Sequence, residues 1–258
     1  MQITDPMDTF YVRRLRRQLA GARLPRHVAL IMDGNRRWAR NKGLTDIRLG
    51  YRHGGEQVKN VLVWCESLGI RHVTQFLCSI ENLHGRRTDE IDFVMKVVED
   101  LVTQRLGRPD SGWQLHIAGS VDALPDTTAR ILQDGVDATR HCTTGSHITL
   151  ALGYSGRQEI VDACRDLLNE NSNRGKTPAD IAHSLTVDDL ATRLYTADQP
   201  DPDLVIRTGG EQRLSNFLLW QSAYTELYFC EAYGPDFREI DFLRALRDFT
   251  NRHRHYGR

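Results

Sequence analysis

Short apolar runs and stretches of helical periodicity alternate along this chain. Residues 27–32, His-Val-Ala-Leu-Ile-Met, form a compact apolar run that stops at Asp33-Gly34-Asn35, the pattern of a buried strand entering a polar turn. Val58, Val61, Leu62, Cys65 and Leu68 then share one face of a helix over 54–69, closed by Gly69. A strand over 71–78 carries Val73, Phe76 and Leu77, and a strongly apolar helix over 92–106 carries Phe93, Val94, Val97, Val98, Leu101 and Val102. Residues 114–118 read as a third strand and 126–140, after Pro125, as a more polar helix. A strand over 147–152 leads into Gly153-Tyr154-Ser155-Gly156 and a helix marked by Ile160, Val161, Cys164, Leu167 and Leu168. Residues 169–180 read as a polar loop and 187–195 as a short helix. A strand over 203–207 runs into Thr208-Gly209-Gly210; a last strand covers 226–230 and an amphipathic helix 239–252.

Strands alternating with helices of this length predict an α/β fold in one domain, a six-stranded, mostly parallel sheet with helices on both faces. Residues 1–24 are expected to form an N-terminal helical arm, and 25–258 the domain itself. Ligands of such folds sit beyond the carboxyl ends of the strands. Here those ends carry Asp33-Gly34-Asn35, Ser79-Ile80-Glu81-Asn82, Gly153-Tyr154-Ser155-Gly156 and Arg207-Thr208-Gly209-Gly210, all polar or glycine-rich.

The formal charge is zero, from 34 basic and 34 acidic side chains, which argues against a protein that coats nucleic acid. Residues 1–60 nevertheless hold 13 basic against 5 acidic side chains, so an anion would be drawn to that quarter. Of the basic residues 30 are Arg, whose planar fork suits phosphate oxygens, although GC-rich codon usage produces the same ratio. No apolar run of membrane-spanning length and no apolar signal core occur, so a cytoplasmic protein with at most peripheral membrane contact is expected. Five cysteines without C-x-x-C spacing read as reduced thiols rather than metal ligands. Gly175-Lys176-Thr177 lacks the leading glycine of a P-loop, position 170 being Glu, and neither G-x-G-x-x-G nor G-x-S-x-G occurs.

The chemistry concentrates at two strand tips. After the first strand, Asp33-Gly34-Asn35-Arg36-Arg37-Trp38-Ala39-Arg40 combines one carboxylate, a glycine and three arginines. Magnesium takes one or two carboxylates plus phosphate oxygens, so a lone Asp beside arginines suits a magnesium–diphosphate site. At the second tip Arg207, Arg213, Ser215 and the amides of Gly209 and Gly210 would hold another anion, with Glu226 a candidate second metal carboxylate. Two anion sites and one metal beside the apolar helix at 92–106 suggest two diphosphate-bearing lipidic substrates.

The stretches His27 to Arg40, Ser79 to Asn82 and Asp203 to Phe229 resemble the cis-prenyltransferases, the Z-isoprenyl diphosphate synthases, and most closely their short-chain actinobacterial members. The resemblance runs from about residue 25 to the end. It implies a homodimer in which isopentenyl diphosphate condenses with a short allylic diphosphate, dimethylallyl or geranyl, to form a Z double bond. It assigns Asp33 to the metal and allylic diphosphate, and Gly34, Asn35, Arg36, Arg37 and Trp38 to the allylic pocket. Arg207, Arg213 and Ser215 would hold the isopentenyl diphosphate, and Glu226 would complete the magnesium site from the partner-facing region. Asn82 would assist proton removal beside Ser79 and Glu81, and Arg86 joins the substrate contacts. An amide is a poor base, so a diphosphate oxygen is the other candidate acceptor.

The chain departs from the family pattern at four places. Gly50-Tyr51 replaces Gly-His, with His53 two residues on, and Arg48 stands one residue out of the spacing of the family's arginine. Leu83 replaces an aromatic after Asn82, and His255-Tyr256-Gly257 replaces Arg-x-Gly. Leu77 lies where long-chain members carry a small residue, and is expected to shorten the product. Two other readings compete: head-to-middle joining of two allylic diphosphates to lavandulyl-type products, and a non-catalytic partner subunit. The second conflicts with the presence of Asp33, Arg36, Arg37 and Glu226. No Asp-Asp-x-x-Asp occurs, which excludes trans-prenyltransferases.

Overall fold

All five side chains of β1 (His27–Ile31) are buried, as a strand covered on both faces requires, and this strand lies inside the sheet. The computed structural model describes residues 6–142 and 144–252; the expectations about His255-Tyr256-Gly257 lie outside them. In chain order, α1 (Pro6–Leu19) precedes β1, and α2 (Asn35–Asn41) and α3 (Leu49–Ser67) lead to β2 (His72–Ser79). Helix α4 (Ile80–Gly85) and α5 (Thr88–Leu101), the latter prolonged by a π-turn at Val102–Leu106, precede β3 (Gln114–Ala118). Then come α6 (Asp126–Thr139), β4 (His147–Tyr154), α7 (Gly156–Asn173), α8 (Pro178–Ser184) and α9 (Val187–Ala191). Strands β5 (Leu204–Arg207) and β6 (Glu226–Phe229) and helix α10 (Glu239–Asn251) complete the fold.

The six strands lie in the order β3-β4-β2-β1-β5-β6, and every pair is parallel. One face packs Val28, Leu30, Val73, Ile148 and Leu150 against the apolar sides of α3, α5 and α10. The other packs Ala29, Ile31, Ala151 and Val205 against Tyr154, Phe217 and Leu218. Each fully buried Leu or Ile contributes roughly 1.5–3 kcal/mol. Helix α1 seats Leu15 and Leu19 in the first core and is tied to α10 by Arg16–Glu239 and Asp8–Arg238 ion pairs.

Three expectations need correction. The stretch 169–180 is not one loop, because α7 continues to Asn173 and α8 begins at Pro178. Capping boxes at Thr177/Asp180 and Thr186/Asp189 start α8 and α9, whose few buried side chains leave a weak apolar period. Residues Gly153 and Tyr154 belong to β4, and Tyr154 is wholly buried with its hydroxyl donating to Glu159, so this strand tip is core rather than open site. The apolar helix begins at Thr88, with acidic residues in its first turn, and its last expected turn is π rather than α.

Against β4, strand β2 carries an extra residue, and β4 carries one in return. Phe76 pairs with Ala151, Cys78 with Leu152 and Ser79 with Tyr154, so Leu77 is unpaired on β2 and Gly153 unpaired on β4. Gly153 has φ of 58°, a conformation glycine adopts without the Cβ penalty.

Candidate active site

The sheet order reverses at β1: the chain moves first to β2 on one side and later to β5 on the other. A crevice opens at such a switch point. Here it holds a cleft of about 680 Å³ over the carboxyl ends of β2, β1 and β5, lined by Asp33, Gly34, Asn35, Arg36, Arg37, Tyr51, Leu77, Ser79, Glu81, Asn82, Arg86, Arg207, Arg213 and Ser215. Most of the residues singled out from three distant stretches of sequence therefore share one space.

At its centre, Asp33 follows β1 and faces Arg207, the last residue of β5. Arg207 Nη2 donates to Asp33 Oδ2 at 2.8 Å, and Nη1 donates to the Arg213 carbonyl at 2.5 Å and Ser215 Oγ at 2.7 Å. The guanidinium is buried, yet its Nε has no hydrogen-bond partner. The Asp33 backbone is pinned as well: its carbonyl accepts from the Gly234 amide and the Thr208 hydroxyl, both at 2.8 Å. Gly34, with φ of 94°, turns the chain into α2, and an added Cβ would sit 2.5 Å from the Tyr233 ring. That turn lets the α2 N-terminus and its arginines face the cleft, where a helix start favours an anion.

Along α2, Arg36, Arg37 and Arg40 line the cleft, whereas Trp38 points to the opposite side. Trp38 is buried and tilted against His53 with ring centroids 4.8 Å apart, so it supports the site from beneath and His53 does not line the cleft. Helices α2 and α3 approach so closely that a Cβ on Gly50 would lie 2.1 Å from the Asn35 carbonyl oxygen. This contact holds Asn35 against α3, with Asn35 Oδ1 unpartnered.

Tyr51 stands on α3 at the rim. Its hydroxyl donates to Glu90 Oε1 at 2.5 Å and accepts from Arg86 Nη1 at 3.0 Å, and the Arg86 guanidinium lies over its ring. Burial first, then the Glu90 hydrogen bond, pushes the Tyr51 phenol well above its ordinary value, so it stays a proton donor. Glu90 also lies 3.6 Å from Arg36 and from Arg86, so one buried carboxylate serves two cleft arginines. Across the cleft Glu211 plays the same part for Arg37 and Arg213, at 3.2 and 2.5 Å. Neither Glu90 nor Glu211 was expected from the sequence. Arg40 lines the cleft as the charge pattern at the first strand tip suggested, and Phe76 and Asn216 also line it without having been assigned there.

On the β2 side, Ser79 caps α4 by accepting from the Asn82 amide at 3.1 Å. Burial acts to raise the Glu81 carboxyl, but hydrogen bonds from its own amide, Ser79 and Asn216, with the charge of Arg157, hold it below its ordinary value. Leu83 turns inward and packs against the main core.

Besides Trp38, two expected residues are not brought in. Arg48 caps the approach to α3, forks onto Asp46 at 2.9 and 3.0 Å and lies over the Phe93 ring, outside the cleft. Its nearest carboxylate is two residues away in sequence and captures it. Glu226 begins β6 and pairs with Leu204, at the amino end of the sheet, while Asp33 and Arg207 stand at the carboxyl end. It binds Arg252 at 2.8 Å instead, so one subunit does not join Glu226 to Asp33.

Beneath the cleft lies a narrow apolar pocket of about 50 Å³ between β2, α3 and α5, which shares Met32, Asn35, Tyr51, Phe76 and Leu77 with it. The arrangement is a cationic mouth over an apolar throat, suited to a molecule with an anionic head and a hydrocarbon tail.

Residues 31–257 match the family model described as putative undecaprenyl diphosphate synthase. An isoprenyl transferase of Streptomyces fradiae is 59% identical over the whole of both chains. A (2Z,6E)-farnesyl diphosphate synthase of Mycolicibacterium smegmatis is 46% identical over all of this chain and 98% of its own. Among solved structures, lavandulyl diphosphate synthase from Lavandula x intermedia, in complex with dimethylallyl diphosphate, matches with a TM-score of 0.84 and 33% identity, over 91% of this chain and 99% of its own.

Proposed function

The chain belongs to the undecaprenyl diphosphate synthase family and is a prenyltransferase, and from that premise we propose that it condenses isopentenyl diphosphate with a short allylic diphosphate into a short-chain Z-prenyl diphosphate. The observation that carries this reading is the pairing of cleft and pocket. Arginines on both sides of Asp33 give two places for a diphosphate, and an apolar continuation of the cleft runs down beside Leu77.

In this reading Asn35, Arg36 and Arg37 bind the allylic diphosphate at the α2 start. Arg207, Arg213 and Ser215 bind the isopentenyl diphosphate. Fixed guanidinium groups stabilise the charge that grows on the departing diphosphate, which is where electrostatic catalysis acts. Asn82 makes no hydrogen bond through its side chain among the described residues and faces the cleft, free to orient the isopentenyl group while a diphosphate oxygen takes the proton.

Magnesium fits the donor set. Asp33 is a part-exposed carboxylate in the cleft, beside the arginines that would hold substrate phosphate oxygens, and one carboxylate with phosphate oxygens is a donor set magnesium takes. Asp33 would hold it, and the ion would supply charge neutralisation at the leaving diphosphate. Glu226 would enter such a site only from a second subunit. A cytoplasmic setting suits the five free cysteines, and no described helix is long and apolar enough to cross a membrane.

Mass spectrometry of products from isopentenyl diphosphate with dimethylallyl, geranyl or farnesyl diphosphate tests the reading; a linear Z product is expected, and none from any pair would overturn it. The likeness to a lavandulyl diphosphate synthase favours one other reaction, head-to-middle joining. Dimethylallyl diphosphate supplied alone would then yield a branched product.

A further inference from the structure

We propose that Gln75 limits how deep a hydrocarbon tail enters the pocket, and so helps to select short allylic substrates and products. This rests on the prenyltransferase reading above. Gln75 occupies an inward position on β2 between Val73 and Leu77, is 1% exposed, and is the one amide other than Asn35 lining the apolar pocket. Its Nε2 donates to the Phe76 carbonyl at 3.0 Å and weakly to the Leu30 carbonyl at 3.5 Å. Its Oε1 is buried and has no partner.

A prenyl diphosphate whose head lies among the cleft arginines can send its tail past Leu77 into this pocket. The pocket's volume of about 50 Å³ is small for such a tail, since a cavity that accepts benzene measures ~150 Å³. Its apolar walls, Val94, Val97 and Val98 of α5, are side chains that can shift to admit carbon. Gln75 behaves differently. Its Nε2 is tied to the Phe76 carbonyl, so the side chain cannot swing aside without breaking that bond. A tail reaching Gln75 therefore meets a fixed polar group that it can neither displace cheaply nor satisfy, and this discriminates against tails long enough to reach it.

The test replaces Gln75 by Met, similar in size but without the amide oxygen, with Gln75→Leu as a second variant should Met fail to fold, as judged by thermal melting. Two ratios are read. One is kcat/KM for farnesyl over dimethylallyl diphosphate with isopentenyl diphosphate; the other is the affinity ratio of the same two allylic diphosphates by calorimetry, which needs no turnover. A rise of roughly tenfold in either ratio, as expected for one apolar group gained in a pocket, supports the role, with KM for isopentenyl diphosphate unchanged. Both ratios unchanged in a folded variant would overturn it. Wild-type protein without turnover on any substrate pair would defeat the functional reading, while the affinity ratio would still decide the role of Gln75.

Discussion

Replacing Asp33 by Asn removes one charge at the centre of the cleft while keeping an oxygen in place. Asp33 supplies one of three acceptors around the Arg207 guanidinium, and the Arg213 carbonyl and Ser215 hydroxyl remain. The side chains of the pair are 4% exposed at Arg207 and 39% at Asp33, so water can approach from the carboxylate side. Breaking a fully buried pair costs 3–5 kcal/mol and a surface pair 0–1; this half-open pair falls between, at about 1–2 kcal/mol. In a domain of this size that lowers Tm by roughly 2–8 °C. Turnover should suffer more. Loss of one preorganised group at the developing charge costs about 10²–10³ in rate, or roughly 3–4 kcal/mol. Radiolabelled isopentenyl diphosphate incorporated into extractable product, measured well below the variant's Tm and at saturating magnesium, separates the two effects. A folded variant retaining a tenth of wild-type turnover would refute the central role of Asp33.

Three further outcomes follow from the geometry. Glu90→Gln should raise KM for the allylic diphosphate several-fold with kcat less affected, because Arg36 and Arg86 lose their shared anchor; steady-state kinetics in which only kcat falls would contradict this. Leu77→Ala should lengthen the product by widening the throat, and an unchanged product ladder on thin-layer chromatography would sink the idea. Burial drives the His27 imidazole down from 6.5 to about 4 despite the Pro200 carbonyl, so the unfolded chain takes up a proton first as pH falls. Stability should therefore be intact above about pH 6.5 and decline by ~3 kcal/mol toward pH 4, and urea titrations in which His27→Gln fails to flatten that slope would count against it.

The strands and their order of use were legible because buried parallel strands are continuous apolar runs, and the residue at which each run stops marks the site. Asp33, Ser79 and Arg207 were found that way. Trp38 was assigned to the allylic pocket by the family resemblance, but a helix turns about 100° per residue, which sends Trp38 inward while Arg36, Arg37 and Arg40 face the cleft. Glu90 and Tyr51 lie 39 residues apart, and only the packing of α5 on α3 makes them partners. Glu226 was placed by its residue type; where it lies along β6 depends on strand register, which the pattern of apolar residues does not reveal over four residues. Gln75 did leave a signal, an amide at the alternate strand position between Val73 and Leu77.

The unpaired Leu77 on β2 and the unpaired Gly153 on β4 cancel: the strands are in step before the pair and in step again at Ser79 and Tyr154. Length changes at these tips must therefore be inherited together. Deleting Leu77 alone would shift Ser79, Glu81 and Asn82 by one position against β4 and Asp33, and deleting Gly153 alone would shift Tyr154 and Ser155 against β2, whereas deleting both would restore the pairing of β2 with β4 and remove the side chain at the throat. Side-chain substitution leaves this pairing untouched, and an insertion in one strand keeps it only with a compensating insertion in the other.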